Sequence, residues 1–326
     1  MRRTAARPTL LLSSAVWLFL AGCHSAGVRF LSLIGLEKRP LSVAFVADQP
    51  TEAVAKALDP FPSYTPLQQA LAADLGRPVA VDVCFPFQAD SGLTSGWYDL
   101  AVVTPAQYAG LPRPEALNVL AIPVDRQKRA VRSAVLVVPV GSPVNTISEL
   151  RGRVVAFGPA GDSRTHYAAL QLLENAGLKP SDLSLEVLPM PGSLRHLPDV
   201  RAMAQAVIAG SAAAGFIDEA AWEAFPEHDV REGEPARDKL RIVGRTCALP
   251  DALVIASEKL DAATAGKIRA FLLTVGTESP AVLEPLAVSR YQAPTAEVLT
   301  ACRSLAAIEK PSGPENKQPG KNPGGS

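Results

Sequence analysis

From Leu41 onward, short runs of strand-forming residues alternate with segments of helical periodicity, and this alternation constrains the fold more than any other feature of the chain. Leu41–Ala47 (LSVAFVA), Val79–Phe85 (VAVDVCF), Leu100–Val103 and Asn118–Val124 read as strands. Between the first two, Thr65–Leu75 places Leu67, Ala70, Leu71 and Leu75 on one helical face, and Gly76 follows as a stop. Val131–Val140 (VRSAVLVVPV) is a longer β-rich run, suited to crossing from one lobe to the next. A second series follows. It has a helical turn at Thr146–Leu150 and strands at Arg153–Phe157, Leu183–Leu188, Ala213–Ile217, Leu240–Val243 and Ala252–Ala256. Its helices are predicted at Ser163–Ala176, Asp199–Ala209, Lys259–Val275 and Thr295–Ile308, and a polar stretch, Glu227–Lys239, interrupts the series. Strands separated by helices, each too short to bury an apolar face alone, predict an α/β fold with a largely parallel sheet.

The N-terminal segment has a different character. Arg2, Arg3 and Arg7 precede an apolar run, Leu10–Leu20, that is shorter than the about 20 residues a membrane-spanning helix needs. The run ends in Leu20-Ala21-Gly22-Cys23, which resembles a bacterial lipobox. That resemblance implies export, cleavage before Cys23 and lipidation of Cys23. It also implies a membrane anchor on the periplasmic side of the outer or inner membrane, or at the cell surface where there is no outer membrane. His24 stands where an aspartate would signal inner-membrane retention, which favours the outer membrane.

Residues 1–22 are therefore assigned as signal peptide and 23–39 as a lipidated tether. The Pro/Gly/Lys/Asn-rich 310–326 lacks the apolar surface to offset ordering entropy and is expected to be a disordered tail. With Cys23 used, Cys84, Cys247 and Cys302 leave an odd number, so at most one internal disulfide can form. The four histidines are scattered and no CxxC occurs, so nothing supports a metal site or a cofactor. Acidic and basic residues balance at 32 each, and no basic face points to nucleic acid.

The chemistry concentrates in Arg153–Gly177 (RVVAFGPAGDSRTHYAALQLLENAG). A strand enters a loop with Gly158 and Gly161, and Asp162 and Ser163 are good helix caps. The first turn then carries Ser163, Arg164, Thr165 and His166. Free N–H groups, a positive dipole end, two hydroxyls, an arginine and a histidine form a donor set suited to an oxyanion. The plainer reading is a capped helix with Arg164 in solvent. A P-loop lacks its GK[ST] and a dinucleotide fold its G-x-G-x-x-G. No nucleophile–base–orienter set is evident, so the chain is read as a binding protein and not an enzyme.

This segment resembles the signature of phosphate/phosphonate ABC importer substrate-binding proteins: strand, Phe-Gly, then an Asp-Ser-x-Ser/Thr run that opens a helix. The likeness extends to Phe61–Val83, Tyr98–Tyr108, Ala134–Phe157 and Gly192–Trp222. It implies an α/β, two-lobed type II periplasmic binding protein. Each lobe would be a mixed sheet flanked by helices, with a ligand cleft between lobes and closure about a hinge. Lobe 1 would take residues 40–136 plus 241–309, and lobe 2 residues 137–240. Site residues carried over by the resemblance are Ser163, Arg164, Thr165 and His166, with Tyr64, Thr104 and Tyr108 from the first lobe and His196 and Asp218 from the second. His166 departs from the family's frequent glycine. The absence of an acidic residue near Ala213 and Ala214, and the late position of His196, put amino-phosphonate specificity in doubt. The implied partners are a small anionic ligand and an ABC permease, with the protein a monomer. A sulfonate, nitrate or thiamine-precursor receptor, or a ligand sensor for a signalling partner, remain alternatives.

Overall fold

The computed structural model describes residues 39–46, 61–185, 193–228 and 235–307. The leader, Cys23, nearly all of the 23–39 tether and the 310–326 tail lie outside these residues. The described chain divides into two compact units. One takes the residues up to Arg132 together with Pro250–Leu299, and the other takes Ser133–Leu249 with the residues from Thr300 onward.

The first unit is built on a six-stranded sheet. Its strands are β1 (Leu41–Val46), β2 (Val79–Cys84), β3 (Leu100–Val103), β4 (Asn118–Asp125), β10 (Leu253–Ala256) and β11 (Val288–Gln292), in the order β11-β4-β10-β3-β1-β2. β1 runs parallel to β2 and β3, while β10 is antiparallel to both of its neighbours. Leu41 and Val43 of β1 pack with Leu71 of α1 (Phe61–Leu75) and with Ile268, Leu272 and Val275 of α7 (Ala262–Glu278) in one buried cluster. On the alternate register, buried Ser42 donates its N–H and its hydroxyl to Asp99 Oδ2 at 2.9 and 3.1 Å. The period of two along the strand thus sends one face to oil and one to a buried carboxylate.

The second unit holds five strands in the order β7-β6-β8-β5-β9: β5 (Ala134–Pro139), β6 (Val155–Phe157), β7 (Arg195–His196), β8 (Ala214–Asp218) and β9 (Leu240–Arg245). β6 is parallel to β7 and β8, and β5 is antiparallel to β8 and β9. Both faces are covered. Leu136 and Val138 join Phe157, Phe216 and Leu173 of α4 (Ala168–Asn175). Val135 and Val137 join Met203 and Val207 of α5 (Val200–Ile208). A strand buried on both sides needs an unbroken apolar run, which explains the Ala-Val-Leu-Val-Val sequence of β5.

Most expected elements form within a few residues of their predicted ends. The predicted strand at Leu183–Leu188 does not form over its described part. Leu183 is buried, but Ser184 makes a single backbone bond, to the carbonyl of Arg153, instead of a ladder. Four of these elements went unpredicted: α2 (Pro86–Ser95), α3 (Pro105–Gly110), β7 and β11, while α6 (Glu219–Ala224) opens at Asp218, a residue suited to capping a helix. The unit boundaries fall at 132/133 and 249/250, where 136/137 and 240/241 were expected, because β5 and β9 are paired strands of one sheet and belong to it whole. The expected first-lobe assignment of the C-terminal helix is also divided, since α8 (Ala296–Ser304) passes from one unit to the other after Leu299. Cys84, Cys247 and Cys302 are all free thiols.

Candidate functional site

In the second unit, β6 ends at Phe157 and the chain turns through Gly158 and Gly161 into a wide helical turn, Ser163–Tyr167, that leads into α4. Gly161 has φ +90°, which glycine adopts without strain. Gly158 is required for space. A methyl group there would overlap Thr165 Oγ1 and lie 2.6 Å from Thr165 Cβ. Asp162 caps the turn. Its Oδ1 accepts from Arg164 N at 3.0 Å, Thr165 N at 2.6 Å and Thr165 Oγ1 at 2.7 Å. Its carbonyl accepts from His166 N and Tyr167 N.

This geometry corrects one sequence expectation. The backbone N–H groups of Arg164, Thr165, His166 and Tyr167 are all taken by Asp162, and buried Thr165 turns its hydroxyl inward to the same carboxylate. What the turn offers beyond these bonds is therefore its side chains and the positive end of the helix dipole. Ser163 is buried at the turn's start.

Arg164 Nε donates to Asp218 Oδ2 at 2.7 Å, with the two side chains only 14% and 24% exposed. Asp218 also caps α6, its Oδ1 accepting from Ala220 N and Ala221 N. It thus both holds Arg164 and starts a helix. Arg164 stands with its counter-charge instead of in open solvent.

His166 and His196 come together although they are 30 residues apart in sequence. Their ring centroids lie 4.7 Å apart with planes nearly perpendicular, and Phe157 lies within about 6 Å of both. His166 Nδ1 accepts from the Gly161 N–H at 3.0 Å. His196 Nδ1 sits 2.7 Å from the Gly158 carbonyl. Burial, then the neighbouring His196, push the His166 pKa down to about 4, with Asp162 acting in the opposite direction. His166 is therefore neutral near pH 7. The ring pair was not legible as a pair in sequence, because β6–β7 pairing creates it: Phe157 is in register with His196.

The first-unit candidates fare differently. Tyr64 packs against Phe45 with centroids 3.9 Å apart and ring planes tilted by 37°, and lines a cavity of about 640 Å³ with Tyr291, Arg132 and Asp251. Arg132 and Asp251 form an ion pair at its wall, 2.5 Å apart, that sequence reasoning missed because its partners are far apart along the chain. Thr104 is the cap of α3, exchanging bonds with Gln107. Tyr108 is a core residue. It is 1% exposed and its hydroxyl donates to the Pro114 carbonyl at 2.6 Å. Its predicted ligand role is thus replaced by packing under its own loop. Among the described residues no cluster of metal-ligating side chains occurs, and no helix is long and apolar enough to cross a membrane.

Two mixed sheets, each flanked by helices, with the first helical turn after β6 furnished with charged and polar side chains, define a substrate-binding protein of the type II periplasmic class. Solved structures agree. XAC2383 from Xanthomonas citri bound to chloride ion is 18% identical and aligns over 82% of this chain and 96% of its own, with a TM-score of 0.59. PhnD1 from Prochlorococcus marinus in complex with methylphosphonate is 15% identical over 82% and 97%, TM-score 0.52. The binding-protein component of an ABC phosphonate transporter from Pseudomonas aeruginosa is 12% identical over 82% and 85%, TM-score 0.52. No curated protein sequence matches the chain. The model of the family "ABC transporter, phosphonate, periplasmic substrate-binding protein" matches residues 60–299, and the chain belongs to that family.

Proposed function

We propose that this protein captures a phosphonate- or phosphate-like oxyanion outside the cytoplasm for an ABC permease, and that it acts as a binding protein and not an enzyme. The observation that carries this reading is the side-chain set after β6. Arg164 is fixed by Asp218, and two imidazoles converge on the same turn at the positive end of α4. An arginine held in place suits a tetrahedral oxyanion better than a mobile lysine would. The family's ligand class points the same way.

A thermal-shift screen of the protein from His24 onward tests the reading. Phosphate, phosphite, alkylphosphonates and aminoalkylphosphonates are compared with sulfonates and nitrate. A ligand that binds only the native state stabilises it by about 2.7 kcal/mol at a hundredfold excess over its Kd. A clear rise in Tm with a phosphorus oxyanion is the expected result. A response confined to sulfonate or nitrate would assign a different anion, and no response to any would remove the oxyanion reading.

Cys23 is proposed to carry the lipid that holds the protein to the membrane as a monomer. Replacing it, Cys23→Ala, should shift the protein from the membrane to the soluble fraction after cell lysis and ultracentrifugation. Unchanged sedimentation with membranes would exclude Cys23 as the anchor.

A further inference from the structure

We infer that the apolar residues 28–36 of the tether dock on their own first unit, in a groove beside the point where the chain enters β1. The inference goes beyond the ligand reading above and holds whichever anion the protein binds. Its consequence for reach rests on lipidation of Cys23.

The segment needs a cover. Residues 28–36 (VRFLSLIGL), which precede the described part of the chain, carry six large apolar side chains and a single charge, Arg29. Such a run left in water associates with any apolar surface it meets. It is far shorter than the about 20 residues a spanning helix needs, so it does not cross the bilayer.

The start of the described chain sets where the segment can reach. Arg39 Nη2 donates to the Gly96 carbonyl at 2.5 Å and lies 3.6 Å from Asp99 Oδ1. Only Glu37 and Lys38 separate Arg39 from Leu36, a span of about 10 Å. The neighbouring Ser95 carbonyl accepts from Lys259 Nζ at 2.9 Å, and Lys259 borders the groove.

The groove has a volume of about 350 Å³, enough for a few side chains of the segment. Leu93 of α2, Leu111, Pro112 and Leu117 give it an apolar lining. Arg113 and Glu258 meet at the groove in a 3.2 Å ion pair. Trp97, next to Gly96, is 58% exposed and adds apolar surface beside the Arg39 contact. All of these residues belong to the first unit.

Charge decides between occupants. The charged residues that line the groove are Asp90, Arg113, Glu258 and Lys259, two of each sign. Anionic lipid headgroups are drawn by clustered basic residues, which this lining does not offer. A nearly neutral apolar strip fits it, and attachment through Glu37 and Lys38 makes the docking intramolecular, at high effective concentration. Docking also shortens the leash. Residues 23–39 fully extended span about 55 Å, whereas residues 23–28 span about 17 Å. The seated tether thus keeps the protein close to the membrane that holds its lipid.

Photo-crosslinking of the intact lipoprotein in its membrane tests this. Phe30 and Leu33 are replaced in turn by benzoylphenylalanine, both at positions before the first strand. After irradiation, peptide mapping by mass spectrometry is expected to find crosslinks within one chain to the groove residues between 90 and 117. Adding Leu117→Glu, which puts a charge into the apolar lining, should cut their yield severalfold. No crosslink to the groove would overturn the inference, whether the label reacts with lipid, with a second copy or not at all. A groove yield unchanged by Leu117→Glu would overturn it too. Should that variant fail to fold, Leu33→Ser with Ile34→Ser, read from the label at position 30, makes the same comparison without touching the unit. Failure of Cys23→Ala to release the protein would remove the short leash and leave the docking result standing.

Discussion

Asp218→Ala is expected to destabilise the protein by about 3 kcal/mol and to weaken oxyanion binding by about tenfold or more. The carboxylate has two separate tasks. Oδ2 neutralises Arg164 across 2.7 Å, and Oδ1 caps α6. Removing one partner of a buried ion pair costs about 3–5 kcal/mol, because a charge is left in a poor solvent. Here 14% and 24% exposure lets water recover part of that, which brings the pair's share down to about 2 kcal/mol. The lost cap adds about 1 kcal/mol. Asp218→Asn separates the two tasks, since its amide oxygen can still cap Ala220 and Ala221. Urea denaturation should therefore place it between wild type and the alanine variant. If Asp218→Ala changed stability by under about 1 kcal/mol, the ion pair would not hold Arg164 in place.

Much of this architecture was legible in the chain because period and burial agree. β5 reads as an unbroken apolar run and is buried on both faces. The residues of α4 and α5 recur at helical spacing and each covers one face of the same sheet. Short elements were harder. Pro105–Gly110 is too short to show a period, and its start is set by a Thr104–Gln107 capping exchange that becomes visible only with the turn in hand. β11 survives on its pairing with β4, a long-range contact without a local signature.

The site divides in the same way. The turn after β6 could be found from Gly158, Gly161, Asp162 and the residues behind them. What the turn does with its donors could not be read. Asp162 looked like one cap among two and in fact satisfies four backbone N–H groups and a hydroxyl. Tyr108 was placed in the site by resemblance alone, whereas Pro114 offers its hydroxyl a carbonyl within the core. The His166–His196 pair depended on strand register, which spacing along the chain does not fix.

The two glycines of the turn should respond very differently to alanine, and the difference tests how the site is built. Gly161→Ala places a methyl in open space, so its cost is that of holding a positive φ, about 1 kcal/mol. Gly158→Ala forces its methyl into Thr165, whose side chain is buried and tied to Asp162, so no free rotamer relieves the overlap. Overpacking of that kind costs about 1–3 kcal/mol, and the upper end is expected where the neighbour cannot move. The same residue also bonds through its N–H to the Thr165 carbonyl and through its own carbonyl to His196 Nδ1. Displacing it should therefore disturb the cap and the imidazole pair together. Measured side by side, Gly158→Ala should lose both thermal stability and oxyanion affinity, while Gly161→Ala should lose a little stability and retain most of the affinity. The opposite order would mean that backbone conformation, and not the close approach of Thr165, sets the shape of the turn.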